Sequence, residues 1–504
     1  MNKVYLLLAF IAVLFSACQQ PVKETKKVLE KPNIIFLFAD DQCHTTVNAL
    51  GNKEVITPNL DKLVNSGVTF VNAFNMGAWN GAVCQASRCM LNTGLPVWKA
   101  QKFEKQVFNK GNGTELTWGK MMEAQGYETY MTGKWHVHTS AEKAFNNVKH
   151  VRPGMPKDNW DHAKMKKIYA NLKEGEDYSK YMPIGYNRPL SKDDNTWSPT
   201  DTIHGGFWQG GQHWSEVLRD DAISFINQAK TSDKPFFMYL AFNAPHDPRQ
   251  APQEYQDMYN EDELSIPESF QPLYPEAYGI ANDPSLRDAA LAPFPRTEYA
   301  TRVHKKEYFA SITHLDAQIG AILKALEESG KAENTYIIYT ADHGLAVGEH
   351  GLFGKQNLYD HSVRPPFVMT GPGLEKGKKV DAEIYLQDAM ATALDLAGSA
   401  KKDSVFFNSI VPLAVGETTK SAYNGIYGGY LTKQRSIRKD GFKLILYPDV
   451  KVVKLFDLKA DPLEMTNLAS DDNQKERVAT MFAELKGLQT TVGDELNLDE
   501  FYQL

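Results

Sequence analysis

Apolar runs that stop abruptly at charged or imidazole residues recur along this chain. Asn33 to Phe38 is unbroken by polar side chains after its first residue and is bounded by Pro32 and Asp40. That is the pattern of a strand buried on both faces of a parallel sheet. It leads into Ala39-Asp40-Asp41-Gln42. Glu128 to Met131 predicts a short strand leading to Gly133-Lys134-Trp135-His136. Pro235 to Phe242 predicts another, leading to Asn243-Ala244-Pro245-His246, and Thr335 to Thr340 one more, leading to Ala341-Asp342-His343-Gly344. Between these runs the period becomes helical. Thr57 is placed to cap a helix reaching about Ser66, with Leu60, Leu63 and Val64 on one face. Tyr308, Ile312, Leu315, Ile319, Ile322 and Leu326 trace an apolar helical stripe. Strands alternating with helices predict an α/β fold, a large doubly wound sheet flanked by helices. Ligands bind such sheets at the C-terminal edge of the strands. Asp40, Asp41, His136, His246, Asp342 and His343 are therefore expected on one rim.

Two stretches break the alternation. Arg152 to Gly211 is rich in Trp, Tyr, Pro, Gly and charge without periodicity, and Asn260 to Thr297 is rich in Pro and acidic residues. Both read as insertions of the kind that carry function. After about Ser404 the pattern changes again. Gln434 to Ile437, Phe442 to Tyr447 and Lys454 to Leu458 predict antiparallel strands, and Gln474 to Leu488 a helix. The expected division is a catalytic domain over 32–403 and a small C-terminal α+β subdomain over 404–504.

The N-terminus reads as a targeting segment. Lys3 precedes the apolar run Val4 to Leu14, which is short for a membrane span. Phe15-Ser16-Ala17-Cys18 resembles a bacterial lipobox, with Phe15 where Leu is more usual. Residues 1–17 are then a signal peptide, Cys18 a lipidated mature N-terminus and 18–31 a tether. A plain secretory signal cut near Ala17 is the alternative. Either reading places the protein outside the cytoplasm. The first anchors it by lipid alone, at the periplasmic or outer membrane face.

Composition narrows the class. A hydrophobic content of 42% and an aromatic content of 11% exclude a disordered chain. The net charge of -7, with no basic stripe, excludes a nucleic-acid partner. Four cysteines make no disulfide framework. With Cys18 and Cys84 given other roles, Cys43 and Cys89 read as buried thiols.

Asp40, Asp41, Asp342 and His343 are candidate metal ligands, because two acidic pairs end two strands of one sheet. Carboxylates suit Ca²⁺ or Mg²⁺, whereas His343 suits Zn²⁺ or Mn²⁺ better by ligand type. Strand-end turns are the bland alternative. Cys84-Gln85-Ala86-Ser87-Arg88 follows a Gly-containing loop, Gly77 to Gly81. On residue type alone it is a small buried cysteine followed by a surface arginine. It also resembles the C-x-A-S-R sequence read by formylglycine-generating enzymes, with Ala86 where Pro is frequent.

The whole set of blocks resembles type I, formylglycine-dependent sulfatases of the alkaline phosphatase superfamily. Pro32 to Ile35 with Asp40-Asp41, Thr57-Pro58-Asn59-Leu60-Asp61, Cys84 to Arg88, Thr132 to His136 and Ala244-Pro245-His246 carry the likeness. So do Asp342-His343-Gly344, Gly348-Glu349-His350-Gly351, Phe353-Gly354-Lys355 and Arg364-Pro365-Pro366. Leu455 to Leu458, Asp461-Pro462 and Glu464 to Leu468 extend it to the C-terminal part. The resemblance implies an alkaline phosphatase-like sheet. It implies one Ca²⁺ on Asp40, Asp41, Asp342 and His343, touched by Cys84. Cys84 becomes formylglycine, made by a maturase, and its hydrate attacks sulfur. Arg88 steadies the hydrate, Lys134 and Lys355 hold sulfate oxygens, His246 protonates the leaving oxygen and His136 takes the hydrate's second proton. Fixed positive charge of this kind suits a sulfate ester, whose negative charge spreads over three oxygens as the bond to the leaving group breaks.

The expected substrate is a sulfated carbohydrate. The resemblance to gut-bacterial glycan sulfatases points to exo-acting removal from galactose or N-acetylgalactosamine, with a uronate 2-O-sulfatase close behind. His204, Trp208, Gln209, His213, Trp214 and Arg249 are candidates to grip the sugar. Two other classes stay open. One is a phosphomonoester or phosphonate hydrolase on the same fold, the other a lipid-anchored glycan-binding protein without activity.

Overall fold

The run from Asn33 to Ala39 forms the strand on which the molecule is built, and all of it is buried. In the computed structural model, which describes residues 31–172, 176–203 and 206–503, this strand pairs in parallel with Thr335–Ala341 on one side and Phe236–Ala241 on the other. Glu128–Lys134 and then Asn147–Arg152 continue the parallel order outward. On the opposite side Phe367–Thr370 is antiparallel, followed by Val68–Phe70 and Lys378–Val380. The result is an eight-stranded mixed sheet in an α/β fold. Register explains the shared rim. Ala39 lies opposite Ala341, Phe38 opposite Ala241 and Ala241 opposite Gly133. The residues that follow these positions therefore emerge together.

Alternation along the central strand feeds two cores. Ile34, Phe36 and Phe38 join one cluster with Ala86, Cys89 and Met90 of the helix Val83–Thr93. Ile35, Leu37 and Ala39 join another with Leu218 and Phe225 of Trp214–Lys230 and with Leu315, Ile319 and Ile322 of Glu298–Ser329. Each such apolar side chain contributes about 1.5–3 kcal/mol on burial, so the sheet is held firmly from both faces. The predicted stripe extends across two clusters, because Tyr308 and Ile312 pack under the rim with Val55, Leu345 and Val347 instead.

Two local details differ from the sequence reading. Thr57 precedes the helix Pro58–Ser66 but makes no side-chain cap. Its hydroxyl donates to Asp61 instead, at 3.1 Å. The cap comes from Asp316 on the long helix, whose carboxylate accepts from the Asn59 and Leu60 amides at 3.1 and 2.7 Å. A carboxylate satisfies both the orphan donors and the positive end of the helix dipole. The Glu128 strand also runs further than Met131. It passes through an irregularity between Thr132 and Gly133 and ends at Lys134. Gly133 is required there. It has φ of 92°, and a Cβ would lie 1.9 Å from the Ala241 carbonyl oxygen.

The insertions hold little regular structure. The first contains the helix His162–Asn171 and the two-residue strand Trp208–Gln209, which pairs with Gln212–His213 just beyond it. Its Trp160, Met165 and Tyr186 pack on Ala290 and Leu291 of the second. Beyond them, Ile426–Tyr430, Gln434–Lys439, Phe442–Tyr447 and Val452–Asp457 form an antiparallel sheet, covered by the helix Lys475–Val492. That sheet gains a fifth strand from elsewhere in the chain, as Gly77–Ala78 pairs in parallel with Gly429 and Tyr430. No described helix is long and apolar enough to cross a membrane. The segment expected to be a signal peptide, and Cys18, lie outside the described residues.

Gly77 has φ of 101°, and a Cβ there would fall 1.9 Å from the Gly429 carbonyl oxygen. Gly77→Ala is therefore expected to destabilise the protein by about 2–4 kcal/mol, combining overpacking with a strained backbone. Urea denaturation measures this, and an unchanged midpoint would show that the two strands are not in such close contact.

Candidate active site

Two aspartates follow the central strand. Asp41 adopts φ of 66°, a conformation Asp tolerates better than most residues, and its amide donates to Asp342 Oδ1 at 3.1 Å. Asp342 follows the neighbouring strand, its amide bonded to the Ala39 carbonyl at 3.3 Å. His343 is oriented through Nδ1, 2.8 Å from the Gly344 carbonyl. That leaves its Nε2 at 3.1 Å from Asp41 Oδ1 and 3.5 Å from Asp342 Oδ1. One donor atom each from Asp40, Cys84, Asp342 and His343 lies within 4.8 Å of the others, and all four residues are buried. Asp40, Asp41 and His246 form an overlapping group.

Cations surround these carboxylates. Lys134 binds Asp40, and Lys355 Nζ reaches both Asp41 oxygens at 2.9 and 2.8 Å. Arg88 donates from Nε to Asp342 Oδ2 at 2.9 Å and from Nη1 to the Lys134 carbonyl at 2.7 Å, while its guanidinium lies over Phe38. Far from being a surface residue, Arg88 is 0% exposed. Burial, then the charge of Asp342, pushes the Asp40 carboxyl well up. Burial acts against Asp41 too, but His246, Lys355 and His343 hold it below the usual carboxylate range. Asp342 is likewise held down, against burial, by His343 and Arg88. Asp40 Oδ1 and His343 Nε2 have no hydrogen-bond partner. Burial disfavours a proton on His343, yet Asp342 and Asp41 raise its basicity. Anionic oxygens crowded in a dry space, with an imidazole drawn toward positive charge, fit a divalent cation.

Cys84 lies in the first turn of Val83–Thr93. Its Sγ is 3.4 Å from His136 Nδ1. Burial would raise the thiol, but Lys134, Lys355 and His136 bring it well below its ordinary range. An anion or a developing oxyanion at this atom is therefore stabilised. His136 is lowered mainly by burial, with Cys84 acting the other way. Its ring sits against Gly154, where a Cβ would come within 2.4 Å of Cε1. His246 Nδ1 is 2.7 Å from the Asp247 carbonyl, and its Nε2 is 3.8 Å from Asp41 Oδ2. Cys84, His136, His246 and Lys355 open into one cavity of about 660 Å³.

The proposed sugar-binding residues are not at this cavity. His213 is buried; its Nδ1 accepts from the Ser215 amide, capping the helix Trp214–Lys230, and its Nε2 meets the Gln250 carbonyl at 3.1 Å. Trp208 packs on His213, and Gln209 accepts from Arg152. Trp214 lies under the Arg152 guanidinium. Arg249 is turned inward, 1% exposed, with Nη1 at 2.8 Å from His304 Nδ1. None of these lines the cavity, and His204 lies outside the described residues. Arg287 and Asp288 from the second insertion line it instead, with Asn80, Met155 and Gln356. Sequence reasoning missed them because no periodicity or motif marks that segment. Gln356 was the one with a signal, being adjacent to Lys355.

The chain matches the family described as Sulfatase over residues 32–399. A second match, to the family described as N-sulphoglucosamine sulphohydrolase, C-terminal, covers residues 348–491. It is 30% identical to an arylsulfatase of Clostridium perfringens, over 89% of this chain and 92% of that protein. It is 26% identical to an N-acetylglucosamine-6-O-sulfatase of Bacteroides thetaiotaomicron, over 93% of this chain and 87% of the other. The fold is shared with the crystal structure of a phosphonate monoester hydrolase of Agrobacterium radiobacter. That likeness has a TM-score of 0.69 at 19% identity and covers 92% and 96% of the two chains.

Calcium is expected to raise the melting temperature of metal-stripped protein, since a ligand held at 100 times its Kd stabilises by about 2.7 kcal/mol. Asp342→Asn should abolish most of the shift. Scanning calorimetry with and without Ca²⁺ reads this directly, and an equal shift in wild type and variant would place the ion elsewhere.

Proposed function

We propose that this chain, which belongs to the sulfatase family and is a sulfuric ester hydrolase, removes sulfate from sulfated glycans with Cys84, oxidised to formylglycine, as its nucleophile. The observation that carries the reading is the position of the Cys84 side chain, which faces His136 amid Lys134, Lys355 and the carboxylate rim. The hydrate of formylglycine supplies a hydroxyl where the thiol now lies. Asp40, Asp41, Asp342 and His343 would hold a Ca²⁺ ion, which would supply positive charge toward the sulfate oxygens.

The chain's own groups do the rest. Lys134 and Lys355 pair with Asp40 and Asp41. Both ammonium groups stand beside Cys84 and would hold the sulfate oxygens. Arg88 keeps its charge beside the nucleophile because Asp342 and Asp40 oppose the effect of its burial. His246 carries its fixed hydrogen on Nδ1, donated to the Asp247 carbonyl. Protonation of the ring therefore places the transferable proton on Nε2, which gives it to the leaving oxygen. Asp41 Oδ2 lies 3.8 Å from that nitrogen. His136 Nδ1, 3.4 Å from Cys84 Sγ, is placed to accept the proton of the hydrate's second hydroxyl when sulfate departs.

Glycans follow from the activities named for the relatives and from the proposed export with a lipid on Cys18. Exo-acting release from galactose or N-acetylgalactosamine sulfate is the first case to assay, and formylglycine requires a maturase as partner. A phosphate-ester preference, measured on matched aryl sulfate and aryl phosphate, would transfer the chain to phosphoester chemistry.

Cys84→Ala should abolish turnover while leaving the melting temperature near that of wild type, because little side-chain volume is lost. Intact-mass analysis of active wild type should show a deficit of about 18 Da, thiol to aldehyde. His246→Ala should reduce kcat/KM on a sugar sulfate by about 10²–10⁴. It should matter far less for 4-nitrophenyl sulfate, whose leaving group needs no proton. Equal losses on both esters would remove His246 from the acid role.

A further inference from the structure

The cavity holds a second charged feature that the reaction does not use. Arg287 and Asp288, adjacent in the second insertion, line it together with the apolar Met155 and Leu286 and the neutral Asn80 and Ser285. An arginine at a substrate cavity is usually an anion ligand, because its planar fork suits a carboxylate or sulfate. This one is already occupied. Nη1 binds Asp247 Oδ2 and lies 3.5 Å from Asp158 Oδ2, while Nη2 donates to Asp247 Oδ1 at 3.1 Å. Nη2 is also 2.6 Å from Asp288 Oδ1. The Tyr186 hydroxyl accepts from Nη1 at 3.1 Å. Three carboxylates thus share one guanidinium. Asp288 Oδ2 in turn accepts from Gln356 at 2.6 Å and lies 3.9 Å from Lys355 Nζ.

The cluster around Arg287 therefore holds more carboxylate than guanidinium charge, and Asp288 is its carboxylate at the cavity wall. Among the described residues lining the cavity, the other permanent cation is Lys355, which belongs to the sulfate end. A second anionic group on the substrate would meet the Asp288 carboxylate, with the Arg287 fork already held by Asp247, Asp158 and Asp288. Like-charge juxtaposition of that kind, in a partly dry site, is costly. Hydroxyl and acetamido groups face no such barrier, since Asn80, Ser285 and the Asp288 carboxylate can pair with them.

We infer that the sugar bearing the scissile sulfate is otherwise uncharged, a neutral hexose or N-acetylhexosamine and not a uronic acid, with Asp288 and its hold on Arg287 as the selectivity device. This rests on the glycan sulfatase reading above and narrows it.

The test uses mature wild type and Asp288→Asn on two near-isosteric esters, 4-carbamoylphenyl sulfate and 4-carboxyphenyl sulfate, one neutral and one anionic beyond the ester. The readout is the ratio of kcat/KM between the two esters within each enzyme. That ratio is independent of the folded or formylglycine-bearing fraction, and the intrinsic reactivity of the esters cancels between enzymes. Wild type is expected to favour the neutral ester, and Asp288→Asn to shrink that preference at least about tenfold as an arm of Arg287 becomes free. A ratio unchanged by the substitution, or a wild-type preference for the anionic ester, would overturn the inference while leaving sulfatase activity intact. Hydrolysis of neither ester by wild type would overturn the sulfatase reading and this inference with it.

Discussion

Carboxylates gathered in a dry space repel one another, and the rim of this sheet gathers Asp40, Asp41 and Asp342 with no exposure to solvent. The arrangement stands only because positive charge is interleaved among them. Lys134, Lys355 and Arg88 supply that charge, and each comes from a different segment. The cost of burying the charges is met by mutual neutralisation, and removal of one partner would leave another uncompensated. The same groups that solve this folding problem are those suited to hold a sulfate ester. Stability and chemistry are therefore written in one set of side chains, and neither can be altered independently of the other.

Much of this was legible in the sequence. Two of the four strands that carry rim residues were visible because strands buried on both faces must be continuously apolar, as Ile34 to Phe38 and Phe236 to Phe242 are. The rim itself followed from parallel register, which aligns strand ends without any need to know side-chain contacts. The convergence of Asp40, Cys84, Asp342 and His343 on one space is what the motif resemblance led us to expect. What stayed hidden was tertiary. Nothing local could tell that Asp316, far along the chain, caps the helix after Thr57, nor that Arg88 would be wholly buried.

The substrate side was the least readable part. Trp208, His213 and Arg249 were chosen for residue type, yet tight packing gives them structural partners. An aromatic or an arginine near a loop is equally suited to a core or to a ligand, and composition does not distinguish the two. Arg287 and Asp288 sit in a segment without period, where only the folded chain shows which side chains meet the cavity.

The fifth strand of the C-terminal sheet has a consequence in time. Gly77–Ala78 lies a few residues before Cys84 and is clamped against Gly429 and Tyr430, residues that leave the ribosome some 350 positions later. Until that late segment emerges, the stretch around Cys84 lacks its final neighbour. Afterwards the cysteine is only 3% exposed. The order of synthesis thus leaves an interval in which the stretch around Cys84 lacks its last neighbours, and that interval closes when the final strands dock.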